Sequence, residues 1–149
     1  MKVTSTEDAT DGKYLIVYED GNVAFNGALE TLDAVSNTVA VTISEGEIAS
    51  SDNVDAAVFT LNTTAGTVLS ASGHYIGIST NSNGLKQTDD AETYTHTFAI
   101  EDGNAVIKAV FDDSSMTIRY NSASNQNRFR YYKSGQQAVQ LYKYVEYTE

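Results

Sequence analysis

All three arginines of this chain, Arg119, Arg128 and Arg130, fall within residues 115–144, SMTIRYNSASNQNRFRYYKSGQQAVQLYKY. Five of its ten tyrosines lie there too. Planar guanidinium and phenol groups suit sugars, carboxylates and sulfates, because they offer forked donors and flat apolar faces. In NRFRYYK, read as a strand, Phe129 and Tyr131 share the inward face, and Arg128, Arg130 and Tyr132 share the outward one. The preceding turn, Tyr120–Gln126, is rich in amides and hydroxyls. Turns of this kind carry binding residues or simply cap hairpins. The candidate ligand-binding set is Tyr120, Asn121, Asn125, Arg128, Arg130 and Tyr132, with Tyr120 and Tyr132 stacking on sugar faces. The plainer alternative is that the arginines pair with acidic surface elsewhere, for about 0–1 kcal/mol each. The loop 79–84, STNSNG, repeats the chemistry of the Asn121–Gln126 turn and makes a possible second, equivalent sugar site.

Other groups that could do chemistry are sparse. His74 and His96 are the only histidines, and neither has a neighbour in sequence at metal-ligand spacing. His96 alternates with Phe98 and Ile100, which places it at the rim of the core. The acidic pairs Glu19-Asp20, Asp89-Asp90, Glu101-Asp102 and Asp112-Asp113 sit at strand ends, where adjacent side chains point apart. Glycoside hydrolysis needs two carboxylates facing each other about 5–10 Å apart. No EF-hand, P-loop, G-x-S-x-G or H-E-x-x-H stretch occurs. The expectation is a non-enzyme with no catalytic residue, no metal and no cofactor.

The chain has 149 residues, the size of one domain spanning 1–149, and a formal net charge of −11. Residues 1–107 carry 16 acids against three bases, and residues 108–149 carry four against six. So acidic a whole argues against nucleic-acid contact. No apolar run is long enough for a membrane helix. Cysteine is absent, which leaves the redox compartment open. The start, MKVTSTEDATDG, lacks the apolar core of a signal peptide and reads as a piece of a longer chain.

Short alternating runs rich in Val, Ile, Thr, Tyr and Phe, separated by Asp-Gly, Ser-Gly and Asn-Gly pairs, predict an all-β fold. Only Ala28–Val35 has helical spacing. Twelve strands are expected: 13–19, 22–25, 37–43, 57–61, 67–71, 74–79, 84–87, 95–100, 105–110, 116–120, 128–132 and 138–144. They fall into three groups of four. Phe59, Phe98 and Leu141 recur at separations of 39 and 43 residues, which suggests a β-trefoil. A β-sandwich or another closed barrel is the alternative. Edge control requires the long first segment, KYLIVYE, to pair with the last, AVQLYKY.

The runs DGKYLIVYEDGNVAFNGALETLDAVSNTVAVTI, SGHYIGI and IRYNSASNQNRFRYYKSGQQAVQLYK together resemble an accessory module found near the C-terminus of large secreted proteins of gut anaerobes, among them nucleases and glycosidases. The resemblance runs from Val3 to Val145 and is most specific in RFRYYKSGQQAVQLYK. It implies a secreted or cell-surface, non-catalytic module attached to a catalytic domain. It carries over no ligand and no functional residue. The chain departs from ricin-type lectin trefoils in lacking tryptophan, and with it their Q-x-W repeats. The functional expectation is a monomeric module that binds carbohydrate or a cell-surface or mucus polymer. The alternatives are a docking module for the catalytic domain and a protease inhibitor using the loops 50–55 or 89–94.

Overall fold

The computed structural model describes residues 1–80 and 82–144. Asn81 of the second amide-rich loop and Val145 at the end of the resemblance lie outside the described residues. The elements are β1 (Gly12–Tyr18), β2 (Val23–Phe25), β3 (Thr38–Ala40), β4 (Ile43–Ser44), β5 (Glu47–Ile48), the short helix α1 (Asp52–Asp55), β6 (Phe59–Asn62), β7 (Thr67–Ser70), β8 (Tyr75–Gly77), β9 (Lys86–Thr88), β10 (Thr95–Glu101), β11 (Asn104–Phe111), β12 (Ser114–Asn121), β13 (Arg128–Tyr132) and β14 (Gln140–Lys143). The fold is all-β and antiparallel.

Two expectations about elements need correction. The predicted third strand breaks after Ala40, and Ile43–Ser44 pairs instead with Glu47–Ile48 across the Glu45-Gly46 turn. Both turn residues have positive φ, at 53° and 76°, as a two-residue hairpin requires. The segment Ala28–Val35 forms turns and bends, and among the described residues the one α-helical turn lies at Asp52–Asp55. Ser51 starts that turn by accepting a hydrogen bond from Val54 N.

The largest ladder runs β3-β2-β1-β6-β7-β8-β9, with β14 also on β1, while β10-β11-β12-β13 form a second sheet. The first and last strands pair as expected, Tyr14 opposite Lys143 through Val17 opposite Gln140. Among the described residues no ladder closes on itself. Single bonds nonetheless join the two large sheets. Ala105 N donates to Val139 O at 2.8 Å, and His96 N donates to Gly66 O at 2.8 Å. Gly84 and Tyr131 exchange two bonds of 3.0 Å.

The core lies between these sheets and is aromatic. Phe25 stacks on Phe129 with centroids 5.3 Å apart, and Phe59 tilts against Phe25 at 4.7 Å. Such pairs contribute about 0.5–1.5 kcal/mol each beyond the area they bury. One fully buried polar residue, Asn37, ties the 26–37 loop to β13. Its Nδ2 donates to Leu32 O and Phe129 O, and its Oδ1 accepts from Phe129 N. Each backbone group it satisfies would otherwise cost about 1–3 kcal/mol when buried.

His96 corrects a third expectation. It is 4% exposed, inside the core, while Phe98 and Ile100 are the half-buried members of its strand. Its Nδ1 lies 3.0 Å from Gly66 O, an acceptor only, so Nδ1 carries the proton. Nε2 is then the acceptor for the Tyr131 hydroxyl at 2.6 Å. Burial lowers the His96 pKa to about 4, and burial raises that of Tyr131 well above its ordinary value.

Candidate functional site

The arginine-rich strand is partly consumed by the fold. Arg130 Nη2 donates to Asp33 Oδ2 at 3.0 Å, and its Nε sits 3.0 Å from Asp33 Oδ1 as a charge contact without good hydrogen-bond alignment. Arg128 Nη1 lies 3.8 Å from the same carboxylate, and its Nη2 donates to Gln126 Oε1 at 3.0 Å. One acidic residue of the 26–37 loop thus takes both guanidinium groups. This is the surface pairing that stood as the plainer alternative.

The two tyrosines assigned to sugar stacking are both buried, Tyr120 at 7% exposure and Tyr132 at 5%. Tyr120 already stacks on Tyr18 at 4.6 Å and meets Phe129 edge-on at 4.8 Å. It shares the inward face of β12 with Met116 and Ile118, so neither ring face is open to a ligand. Tyr132 follows the buried Tyr131 at a strand end crossed by a distant segment, where Lys133 N donates to Asn83 Oδ1. Asn121 turns its Oδ1 back to Ala123 N at 3.0 Å as a turn cap. Asn125 is exposed, with φ of 66°. Asn83 in the second amide-rich loop is likewise spent on Lys133 N.

The third arginine behaves differently. Along β12, Met116, Ile118 and Tyr120 point inward, which sends Thr117 and Arg119 outward. Arg119 Nε donates to Thr117 Oγ1 at 3.0 Å, which fixes the guanidinium beside the strand. Its Nη1 reaches Gln136 O only at 3.5 Å. Among the described residues it makes no ion pair, although Arg130 stands directly opposite it on β13. Like charges opposed across strands repel, and only Arg130 is neutralised.

Arg119 forms one wall of a hollow of about 200 Å³. The other walls include Glu101, Asp102, Asn104, Thr117 and Ala138. The two carboxylates come from the β10–β11 hairpin, whose turn residues Asp102 and Gly103 have φ of 53° and 81°. The Asp-Gly pair makes that tight reversal without strain at Gly103. Asn104 Oδ1 accepts from Gln140 Nε2 at 2.8 Å, which leaves its Nδ2 as a donor. An arginine, an asparagine and two acidic residues therefore line a common space. The candidate set drawn from sequence left Arg119 out. Its signal was available: Arg119 is the one arginine outside the NRFRYYK run.

The registers of the strands show what stands at the same place elsewhere. Tyr14 opposes Phe59, Gly66 bonds His96, and Ala105 bonds Val139. Three residues on from Tyr14, Gly66 and Ala105, the next strand is met at Ala24, Tyr75 and Thr117. Two further residues bring Asn26, Gly77 and Arg119 into correspondence. Asn26 folds its Oδ1 back to Ala28 N at 3.0 Å. Above Gly77 the Tyr94 side chain fills the space: a Cβ at residue 77 would fall 2.3 Å from Tyr94 Cγ. Of these three positions, among the described residues, Arg119 is the one that lines the hollow.

Two other features stand apart. His74 Nδ1 lies 2.9 Å from Asp89 Oδ1 and its Nε2 3.7 Å from Glu30 Oε2. Carboxylates on opposite ring nitrogens do not converge on one point, and among the described residues no cluster has a metal-holding arrangement. A wider cleft of about 690 Å³ has Leu15, Ile48, Val54, Tyr142 and Tyr144 among its walls, with Glu47, Asp55 and Lys143 beside them. Below it, the Tyr142 hydroxyl donates to Glu19, which also pairs with Lys2 at 3.0 Å. Burial, and then the Glu19 carboxylate, raise the Tyr142 pKa. Comparison with protein-family models, with curated proteins and with solved structures gives no match.

Proposed function

We propose that this chain is a non-catalytic, exported accessory module of β-trefoil type that binds carbohydrate. The trefoil reading is supported by the threefold recurrence of register described above. It is supported further by Gly27 N donating to Ala57 O and Tyr120 N to Gln137 O, at matching places two residues before Phe59 and Val139. In this reading six strands make a short barrel and the remaining hairpins cap it.

The observation that carries carbohydrate binding is the Arg119 hollow. A guanidinium without an ion partner, a spare amide donor and two carboxylates around one space match the mixed donors and acceptors of a polyol. Ligand contact then moves along the same outward face from Arg128 and Arg130 to Arg119, with exposed Asn125 free to touch a longer polymer. Affinity gels carrying host and bacterial polysaccharides test this, and retention by at least one is expected. A folded sample retained by none overturns it.

A second reading, docking against a neighbouring catalytic domain, has the 690 Å³ cleft in its favour, since Leu15, Ile48, Val54 and Tyr142 give it an apolar floor. It predicts that the module melts at a higher temperature within its parent than alone.

A further inference from the structure

We infer that the Arg119 hollow takes a single neutral sugar residue, and that the module carries one such site. The inference rests on the carbohydrate-binding reading and adds the charge, size and number of what is bound.

Charge comes first. Glu101 and Asp102 bring two negative charges to the walls against the one positive charge of Arg119, on a chain of net charge −11. An acidic sugar would meet net repulsion both locally and at long range. A neutral sugar meets none. Its hydroxyls donate to the carboxylate oxygens, and its ring and hydroxyl oxygens accept from the guanidinium and from Asn104 Nδ2. Thr117 holds the Arg119 Nε in place, so the fork is oriented before the ligand arrives.

Size comes next. The hollow is about 200 Å³, below the roughly 300–1,000 Å³ of sites for drug-sized ligands. One ring fills it. Number follows from the register. The corresponding positions are occupied, by Tyr94 over Gly77 and by the Asn26 side chain bonded within its own turn. The register repeats three times, and the binding chemistry occurs once.

The test is a titration of the whole chain, isotope-labelled, with galactose, glucose, mannose, fucose, N-acetylglucosamine and N-acetylgalactosamine. Glucuronate, galacturonate and sialic acid form the acidic arm. One neutral monosaccharide is expected to move the Arg119 Nε–H and the Asn104 and Thr117 amides, with a stoichiometry of one. The same sugar should release the protein from its polysaccharide gel. Arg119→Met and, on the opposite wall, Glu101→Gln should each weaken binding by about tenfold while the amide spectrum stays that of the folded chain. Polymer binding that no monosaccharide competes, a preference for the acidic arm, two sites, or shifts confined to the Asn121–Gln126 turn would each overturn the inference and leave carbohydrate binding standing. Absence of binding to every polysaccharide and every sugar would remove both.

Discussion

Gly77 and Arg119 hold the same position on corresponding strands and do opposite things with it. At Gly77 the side chain is absent and Tyr94 lies in its place, so the region is packed shut. At Arg119 a long charged side chain stands beside a hollow of about 200 Å³. The contrast separates what the fold needs at this position, which is only a strand residue pointing outward, from what β12 has added. The largest effect is expected on the closed side. Gly77→Ala drives a Cβ to 2.3 Å from Tyr94 Cγ and 2.5 Å from Tyr94 Cβ. Neither atom is the free end of a flexible chain, so overpacking should cost about 3 kcal/mol, or roughly 6–12 °C in Tm for a chain of this size. Adding Tyr94→Ala should return part of that loss, because the clash partner is gone. Equal melting of wild type and Gly77→Ala would show that the region is looser than its geometry.

The second difference between the two regions lies in the core beneath them. The strand that supplies His96 to the Gly77 side has Val139 as its counterpart on the Arg119 side, and both are buried. His96 stays neutral in the fold down to about pH 4, whereas an unfolded histidine protonates near pH 6.5. Above pH 6.5 both states are neutral and the residue contributes no pH dependence. As pH falls from 6.5 toward 4, the unfolded chain takes a proton that the folded chain refuses, so stability declines. The His96 share of that decline between pH 7 and pH 5 should be about 2 kcal/mol. His96→Val with Tyr131→Phe copies the valine of the other side and removes the hydroxyl left without an acceptor. Urea unfolding at the two pH values should be flatter for this double variant by about that amount. Identical pH slopes would mean that His96 titrates normally.

Much of the fold is legible in the sequence, and what is not has physical causes. KYLIVYE and AVQLYKY were identifiable as partners because long segments of large residues need each other to cover their edges, and β1 does pair with β14. Phe129 and Tyr131 pointed inward as strict alternation demands. Alternation also placed Tyr120 with Met116 and Ile118, yet its position beside a polar turn drew attention to its chemistry over its periodicity. The alternation of His96 with Phe98 and Ile100 points to the rim of the core, and the structure places it inside. A backbone carbonyl 30 residues away and a hydroxyl 35 residues away satisfy both nitrogens, and sequence displays neither. The same holds for the arginines. Whether Arg128, Arg130 or Arg119 is free depends on Asp33, whose distance in sequence from Arg130 is 97 residues.

Asp33 gives a sharper version of the comparison. It neutralises Arg130, which would otherwise face Arg119 across the β12–β13 ladder as a like charge. Asp33→Asn should cost about 1 kcal/mol at low salt, less as salt screens the repulsion. In the Arg119→Met background the same change should cost less, since one of the two facing charges is gone. A double-mutant cycle from thermal melts measures the coupling. No coupling at low ionic strength would mean that the two guanidinium groups do not sense each other.

The smallest expected effect is the most discriminating. Arg119→Met keeps most of the apolar stem and removes a charge that has no ion partner among the described residues and one arginine opposite. Among the described residues Arg119 bonds the Thr117 hydroxyl at 3.0 Å and Gln136 O at 3.5 Å. Surface changes of this kind stay within about 0.5 kcal/mol of neutral. Stability should therefore be unchanged, or slightly raised at low salt, in contrast to the large penalty at Gly77. A residue that the fold does not need, yet whose loss weakens sugar binding by about tenfold, is held there for something outside the fold. A loss above about 1 kcal/mol would instead make Arg119 part of the scaffold, and the hollow would then lose its main support as a binding site.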